Sequence, residues 1–321
     1  MRAPDFWRSD NGIARLLEPF GLIYGAVTAR RIAKAKPFRA AAPVISVGNI
    51  SAGGTGKTPV AAALAQHLAA QGRNPAILLR GYGGTAKGPL KVSAHTHSVD
   101  DVGDEALLHA RAVPTFVARQ RSLAAQLAVT DGADILIMDD GHQHTSLAKD
   151  LSLVVVDGHA GFGNGRIIPA GPLRESVTAG LKRADALVLM GEDAHDLEAK
   201  LSSRLPVLRA HLELGPEWRT LRGQKVVAFA GIGDPERFFH ALQGVGARVM
   251  AFHPFGDHYG YAAADIQPML DEAYAVGAIP VTTVKDAVRL DADQRQQVNV
   301  LSITAVFDDE AALDRILQKV I

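Results

Sequence analysis

The sequence predicts an α/β fold: a mostly parallel sheet with helices on both faces, plus a second, smaller α/β domain. Three observations carry this. Short apolar runs alternate with helix-forming stretches between residues 43 and 190, and the alternation restarts after the break at Gly215-Pro216. The chain has 321 residues, more than one domain of roughly 100–200 residues usually holds. Hydrophobic residues make up 47% and charged residues 21%, an ordinary globular balance. With 34 Lys+Arg against 34 Asp+Glu the net charge is zero, which gives no global case for a nucleic-acid partner. The absence of cysteine excludes a disulfide scaffold, a Cys-ligated zinc site and thiol catalysis, and fits a reducing compartment.

The first strand is Pro43-Val-Ile-Ser-Val47, an apolar run bounded by Pro and Gly, as in strands buried on both faces. A glycine-rich loop leads into an Ala/Leu-rich helix over Pro59–Ala70, which Gly72 stops. Ala76–Leu79 is the next strand, and Glu105–Ala112 reads as a helix. Strands at Val113–Ala118 and Ile135–Met138 flank a helix at Ser122–Val129, and Leu151–Val156 and Ala186–Met190 extend the series. Strand–helix alternation of this kind builds βαβ units with parallel strands. Val207–Leu214 reads as extended. Beyond it, strands fall at Lys225–Ala230, Arg248–Phe252, Ile279–Thr283 and Val298–Ile303, with helices at Pro235–Gln243, Ala262–Ala275 and Glu310–Val320. The expected organisation is an N-terminal helical segment over 1–40, a core domain over 41–215 and a smaller domain over 216–321. No internal repeat or low-complexity tract interrupts it.

No segment reaches the ~20 apolar residues of a spanning helix. The apolar stretch Pro19–Ala29 is followed by Arg30, Arg31, Lys34, Lys36 and Arg39, whereas a secretory signal carries its cations first. With Phe6, Trp7, Leu16, Leu17, Phe20, Leu22, Ile23 and Tyr24 it reads as an amphipathic segment lying on a membrane surface. The plainer alternative is a helix packed on the protein's own core. Between Pro19 and Val99 there is no Asp or Glu, while Lys57, Arg73, Arg80, Lys87 and Lys91 join the five cations above. A neutral chain that concentrates positive charge in this way points to an anionic partner there, phosphate or lipid.

The sharpest motif is Gly53-Gly54-Thr55-Gly56-Lys57-Thr58, between the first strand and its helix. Glycines let the backbone wrap phosphates, and the helix start favours an anion. Lys57 would reach the terminal phosphates and the Thr58 hydroxyl a magnesium ion. The common pattern begins with a fourth glycine; here Ser51 stands in that place. The context makes the fold P-loop NTPase-like. The strand Ile135–Met138 ends in Asp139-Asp140-Gly141, acids placed to support magnesium, although Asp-Gly is also a common turn. Gln143 and His144 follow in position to touch a phosphate or water, while strand alternation turns His142 away.

The chain lacks the Asn-Lys-x-Asp of guanine readers and the His-Arg-Asp of protein kinases. Its loop is like that of MinD/ParA-type membrane-associated ATPase switches, the competing reading. Their signature lysine is replaced by Ala52. The sequence resembles the tetraacyldisaccharide 4′-kinases (lipid A 4′-kinases) over most of its length. The matching segments are Ser46–Asn49 into Gly53–Pro59, Arg80-Gly-Tyr82, Val102–Glu105, Asp139–His144, Pro169-Ala-Gly-Pro-Leu-Arg-Glu175, Phe229–Pro235, Asp257-His258 and Thr282–Ala287. It departs at His142, where the family usually has Phe, and at Val284, where it often has Glu.

The resemblance implies an ATP- and magnesium-dependent kinase that phosphorylates the 4′-hydroxyl of a tetraacyldisaccharide 1-phosphate, giving lipid IV-A. It implies a peripheral protein on the cytoplasmic face of the bacterial inner membrane, with no obligate protein partner evident. It implies that Asp104 is the catalytic acid–base residue, that His258 pairs with it, and that the smaller domain closes over the site. Arg174 and Glu175 match positions near nucleotide and substrate, as do Tyr82, Glu105 and Arg121. Asn49 and Ser51 are expected to shape the loop. Lys285-Asp286 reads equally as an interdomain ion pair or a helix cap, and no chemistry is assigned to it.

Overall fold

The structure, a computed structural model, describes residues 4–321. Strands β1 (Val44–Gly48), β2 (Pro75–Leu79), β3 (Leu90–Lys91), β4 (Thr115–Val117), β5 (Ile135–Asp139), β6 (Leu151–Asp157), β7 (Ala186–Met190) and β8 (Val207–Leu214) form most of a large sheet. A second sheet contains β9 (Lys225–Ala230), β10 (Arg248–Pro254), β11 (Ile279–Thr283) and β12 (Asn299–Leu301), and β13 (Ile303–Phe307) belongs to the first. The orders are β13-β8-β7-β6-β1-β5-β2-β4-β3 and β10-β9-β11-β12. All pairings are parallel except β3 with β4 and β13 with β8, which lie at the edges.

The central strands β1, β2, β5 and β7 are buried along their whole length, so both faces must be covered. One face packs Ile45, Val47, Ile77 and Ile137 against Val60, Leu64 and Leu68 of the Lys57–Ala70 helix. The other packs Val44, Leu78, Leu136 and Met138 against Ala124, Ala125 and Ala128 of the Arg121–Thr130 helix. The second sheet has its own two clusters, around Val226, Ala228 and Phe238 on one side and Val227, Phe229 and Ile266 on the other.

Beyond residue 216 the chain does not stay with the second sheet to its end. The run Val298–Ile303 is two strands in two sheets, with Ser302 between them. After it the chain returns to the large sheet, where β13 runs antiparallel to β8 and the Glu310–Leu317 helix buries Leu313, Ile316 and Leu317 in the same core as the Lys57–Ala70 helix. Apolar periodicity marks such a helix but does not say which core takes it.

The N-terminal helix runs over Gly12–Ala33, capped by the Asn11 side chain, which accepts from the Ala14 amide. Its inward face is made of small residues: Ala14, Gly21 and Thr28 are buried. A Cβ on Gly21 would sit 2.6 Å from the Ile167 carbonyl oxygen, so only glycine lets the helix dock this closely. The large apolar residues point the other way. Leu16 is 75% exposed, Phe20 60% and Ile23 63%, and Leu22 and Val27 are equally open. The helix thus packs on the protein through its small residues, while Leu16, Phe20, Leu22, Ile23 and Val27 stay exposed. Phe6 and Trp7, like Leu17, are half-buried, and the Trp7 indole donates to the Pro169 carbonyl at 3.0 Å. The first three residues of the 1–40 segment lie outside the described residues. Among the described residues no helix is long and apolar enough to cross a membrane.

Candidate active site

The site gathers at the carboxyl ends of the large sheet's central strands, where parallel sheets bind ligands. Leaving β1, the chain makes the loop before Lys57, the first residue of its helix. Gly53 and Gly56 have φ of 119° and 87°, a region closed to most side chains, and a Cβ on Gly56 would press on Met190 at 3.2 Å. Asn49 shapes the loop from within, donating to the Thr55 hydroxyl at 3.2 Å. The segment after β6 braces it from outside: the Ala52 amide donates to the Pro172 carbonyl at 2.7 Å, and the Arg174 amide to that of Ile50 at 2.8 Å. Ser51, in the place of a glycine, forms an isolated bridge with Leu173.

Register aligns β5 with this loop, Val47 opposite Asp139. Asp139 is fully buried, and burial opposes its charge. The His109 ring, Lys57 and the nearby Thr58 hydroxyl overcome this and hold the carboxyl below its usual range. Its Oδ1 nevertheless makes no hydrogen bond of normal geometry. Asp140 takes a left-handed φ of 52° and pairs with Arg174 at 2.9 Å. Gln143 donates to the Asn49 carbonyl at 2.8 Å and to Glu175 at 3.0 Å. His142 turns inward: Nδ1 lies 3.3 Å from the Ser152 hydroxyl and Nε2 3.0 Å from the Gly180 carbonyl. Burial, with Arg183 and Lys149 nearby, pushes it down to about 4. Half-buried His144 is held down to about 3, by burial first and then by the charges of Arg121, Lys149, Arg31 and Arg80.

The third part joins the two sheets. Asp104 opens the Asp104–Ala110 helix and is 4% exposed. His258, also left-handed at φ 59°, reaches it from the second sheet's side, with Nδ1 2.8 Å from Asp104 Oδ2. Arg289 donates to the same oxygen and to the Gly231 carbonyl, and Asp286 in turn holds Arg289 at 3.2 Å. Burial would raise the Asp104 carboxyl, but the His258 and Arg289 hydrogen bonds keep it far below the usual range. Its neighbour Glu105 goes the other way, raised by burial and by the charge of Asp139, with Lys57 and Lys285 opposing. A cleft of about 630 Å³ opens beside the pair, lined by Tyr82, Asp104, His258, Tyr261, Arg289 and Arg295 among others.

Asp104 and His258, 154 positions apart, thus meet as the resemblance implies. Lys57, Thr58 and Asp139 converge on one corner, and Tyr82 is exposed with its ring edge-on to His258. Two expected substrate residues are turned inward. Arg121 is buried and donates to the carbonyls of Asp139 and Asp140 at 2.8 and 3.0 Å. Glu175 is buried and paired with Arg183 at 2.7 Å. Asp286 is a helix-start residue that organises Arg289, and Lys285 pairs at 3.6 Å with Asp257, within the smaller unit. Sequence reading missed Arg289 and His109, which belong to no motif. Only the depth at which their partners lie explains them.

A family model described as LpxK, tetraacyldisaccharide-1-P 4′-kinase, matches residues 13–321. The tetraacyldisaccharide 4′-kinase of Rhodospirillum rubrum is 55% identical over 325 residues, covering 100% of this chain and 98% of its own. That of Paramagnetospirillum magneticum is 52% identical over 321 residues, covering 100% and 99%. The crystal structure of an "apo" form LpxK from Aquifex aeolicus in complex with ATP superposes with a TM-score of 0.79 at 29% identity, over 96% of this chain and 99% of that one. The chain belongs to the tetraacyldisaccharide 4′-kinase family, phosphotransferases with an alcohol group as acceptor.

Proposed function

We propose that this chain carries the γ-phosphate of ATP to the 4′-hydroxyl of a tetraacyldisaccharide 1-phosphate, giving lipid IV-A, at the cytoplasmic leaflet of the inner membrane. The observation that carries the reading is the meeting of Asp104 and His258 from two sheets, beside a cleft and next to Glu105, on which the charge of Lys57 acts. The backbone of Gly53, Gly54, Thr55 and Gly56 cradles the phosphates, and Lys57 offsets the charge on the transferring group. Arg174, tethered to Asp140 and partly exposed, adds a second cation on that side. Gln143, Glu175 and Arg121 hold the loops in which these groups sit.

Phosphoryl transfer passes through a loose transition state, so the hydroxyl needs orientation more than early deprotonation. Asp104 suits that task. Its carboxyl stays ionised at neutral pH, accepts the hydroxyl's hydrogen bond and takes the proton late. His258 and Arg289 fix the carboxylate, and Tyr82 and Glu105 border the acceptor's approach. Since both fixing residues come from the smaller unit, its approach to the large one completes the site and excludes water.

The residues fit a magnesium ion: a buried carboxylate oxygen without a partner lies beside a threonine hydroxyl at the phosphate-loop helix. Magnesium commonly takes only one or two protein carboxylates, the rest of its ligands being phosphate and water. Thr58 and Asp139 would hold it and Asp140 would support it through the loop; when bound it neutralises charge on the phosphates. The outward row of Leu16, Phe20, Leu22, Ile23 and Val27 lays the N-terminal helix into the headgroup boundary, and Arg30, Arg31, Lys34 and Lys36 face anionic lipid.

The test is transfer of γ-labelled phosphate from ATP with magnesium onto tetraacyldisaccharide 1-phosphate in detergent micelles, with Lys57→Ala as blank. Lysine-dependent label in the lipid fraction is expected. Label appearing only as inorganic phosphate would overturn the reading.

A further inference from the structure

Beneath the phosphate loop Asp139 has a buried partner, His109, to which the reaction as described gives no part. His109 and Asp139 are both shut off from solvent, with 1% and 0% of their side chains accessible. His109 Nε2 is 3.0 Å from Asp139 Oδ2. The remaining polar atoms, His109 Nδ1 and Asp139 Oδ1, have no partner. An unpaired N–H in a core costs more than an unpaired ring lone pair facing apolar atoms, so the hydrogen is assigned to Nε2, which donates to Oδ2.

His109 sits five residues after Asp104 in the same two-turn helix. Five residues advance about 7.5 Å and turn the side-chain direction by roughly 140°. One short helix therefore points Asp104 into the cleft between the units and His109 back to the end of β5. The two halves of the site are braced by one element.

We infer that His109 is a positioning residue for phosphoryl transfer: by occupying Asp139 Oδ2 it leaves Oδ1 as the oxygen presented toward Thr58 and a magnesium ion. A carboxylate without that anchor rotates about its Cβ–Cγ bond, and its free oxygen leaves the corner shared with Thr58. This inference rests on the reading of Asp139 given above. Partners that orient a metal-binding group are typically worth 10–100-fold in metal affinity or activity.

The experiment measures ATP binding to the full chain in detergent as magnesium is titrated, together with kcat, for wild type, His109→Gln and His109→Leu. Glutamine places an amide donor near the position of Nε2; leucine fills the space with none. His109→Leu should raise the magnesium concentration for half-maximal binding about 10-fold or more and lower kcat comparably, with KM for the lipid unchanged. His109→Gln should stay within about 3-fold of wild type. In an Asp139→Asn background the leucine substitution should add less than about 2-fold. Equal losses in the Gln and Leu variants, or an unchanged magnesium requirement in a folded Leu variant, would overturn the inference. If the Leu variant does not fold, His109→Asn replaces it: its shorter amide falls short of Oδ2, so loss in Asn with retention in Gln supports the inference and equal values reject it. A wild-type chain whose ATP binding ignores magnesium rejects instead the underlying assignment of Asp139.

Discussion

The phosphate loop and the Asp104–His258 pair are built on opposite plans. The loop is local: residues 53–58 follow one another, and two positive-φ glycines and a helix start suffice to shape it. The pair is assembled at long range, from the first turn of one helix and a left-handed residue 154 positions away, clamped by Arg289 from a third place. A local device binds what every nucleotide enzyme binds. A long-range device binds and orients the acceptor, and it exists only when the two units are together. Binding of ATP and commitment to transfer should therefore be separable by mutation.

The largest effects should come from breaking each device singly. Lys57→Ala and Thr58→Ala remove charge and a ligand from the phosphate corner and should lower turnover on the order of 10²-fold or more. ATP affinity should fall with them. Asp104→Ala should depress kcat as severely yet leave ATP affinity within about 3-fold, since the acid's hydrogen bonds run to His258, Arg289 and the Glu105 amide. Steady-state kinetics beside direct ATP binding checks this. If Asp104→Ala lost ATP as readily as Lys57→Ala, the two devices would be one.

The same contrast explains what could be read in the sequence. The buried strands were legible because β1, β2, β5 and β7 are apolar on both faces, a pattern that depends on nothing distant. The phosphate loop was legible for the same reason. Asp104 by itself is an acid at a helix start, where capping is the ordinary role, and only resemblance to a family linked it to His258. Arg289 and His109 had no signal at all. An arginine after a short helix and a histidine within one become meaningful only once Asp104 and Asp139 are buried beside them. The return of β13 to the large sheet was hidden likewise, because Ser302 is all that separates it from a strand of the other sheet.

Arg289 offers a finer test of the long-range device. Burial works to raise the Asp104 carboxyl, and the hydrogen bonds of His258 and Arg289 work to lower it. Arg289→Leu removes one of the two and lets burial weigh more. The carboxyl should rise, become protonated at higher pH, and lose its acceptor role there. The acid limb of the kcat/KM profile should move to higher pH, with kcat at neutrality reduced on the order of 10-fold. Measuring the profile between pH 4 and 8 decides it. An unshifted limb would mean that His258 alone sets the carboxyl and that Arg289 serves only to join the units.

The smallest effect concerns His142, buried under the Asp139–His144 loop. Burial holds its folded value down to about 4, against roughly 6.5 in an unfolded chain. Protons therefore prefer the unfolded state between those values. The stability tied to neutral His142 is full above about pH 6.5 and drains away as pH falls toward 4. Between pH 7 and 5 the loss is on the order of 2 kcal/mol. His144, held down to about 3, contributes in the same direction, whereas Lys149, lowered to about 8, titrates above this window. His142→Phe should leave the protein slightly less stable at pH 7, since the Gly180 carbonyl and Ser152 hydroxyl lose a partner. It should also roughly halve the drop in melting temperature from pH 7 to 5. Thermal unfolding of both proteins at the two pH values measures this. Equal drops would place the pH sensitivity elsewhere, and a steeper drop in the variant would show that His142 is charged in the fold. Asp104 and Asp139 stay ionised throughout this window, so the change belongs to the scaffold under the Asp139–His144 loop and not to the reacting groups.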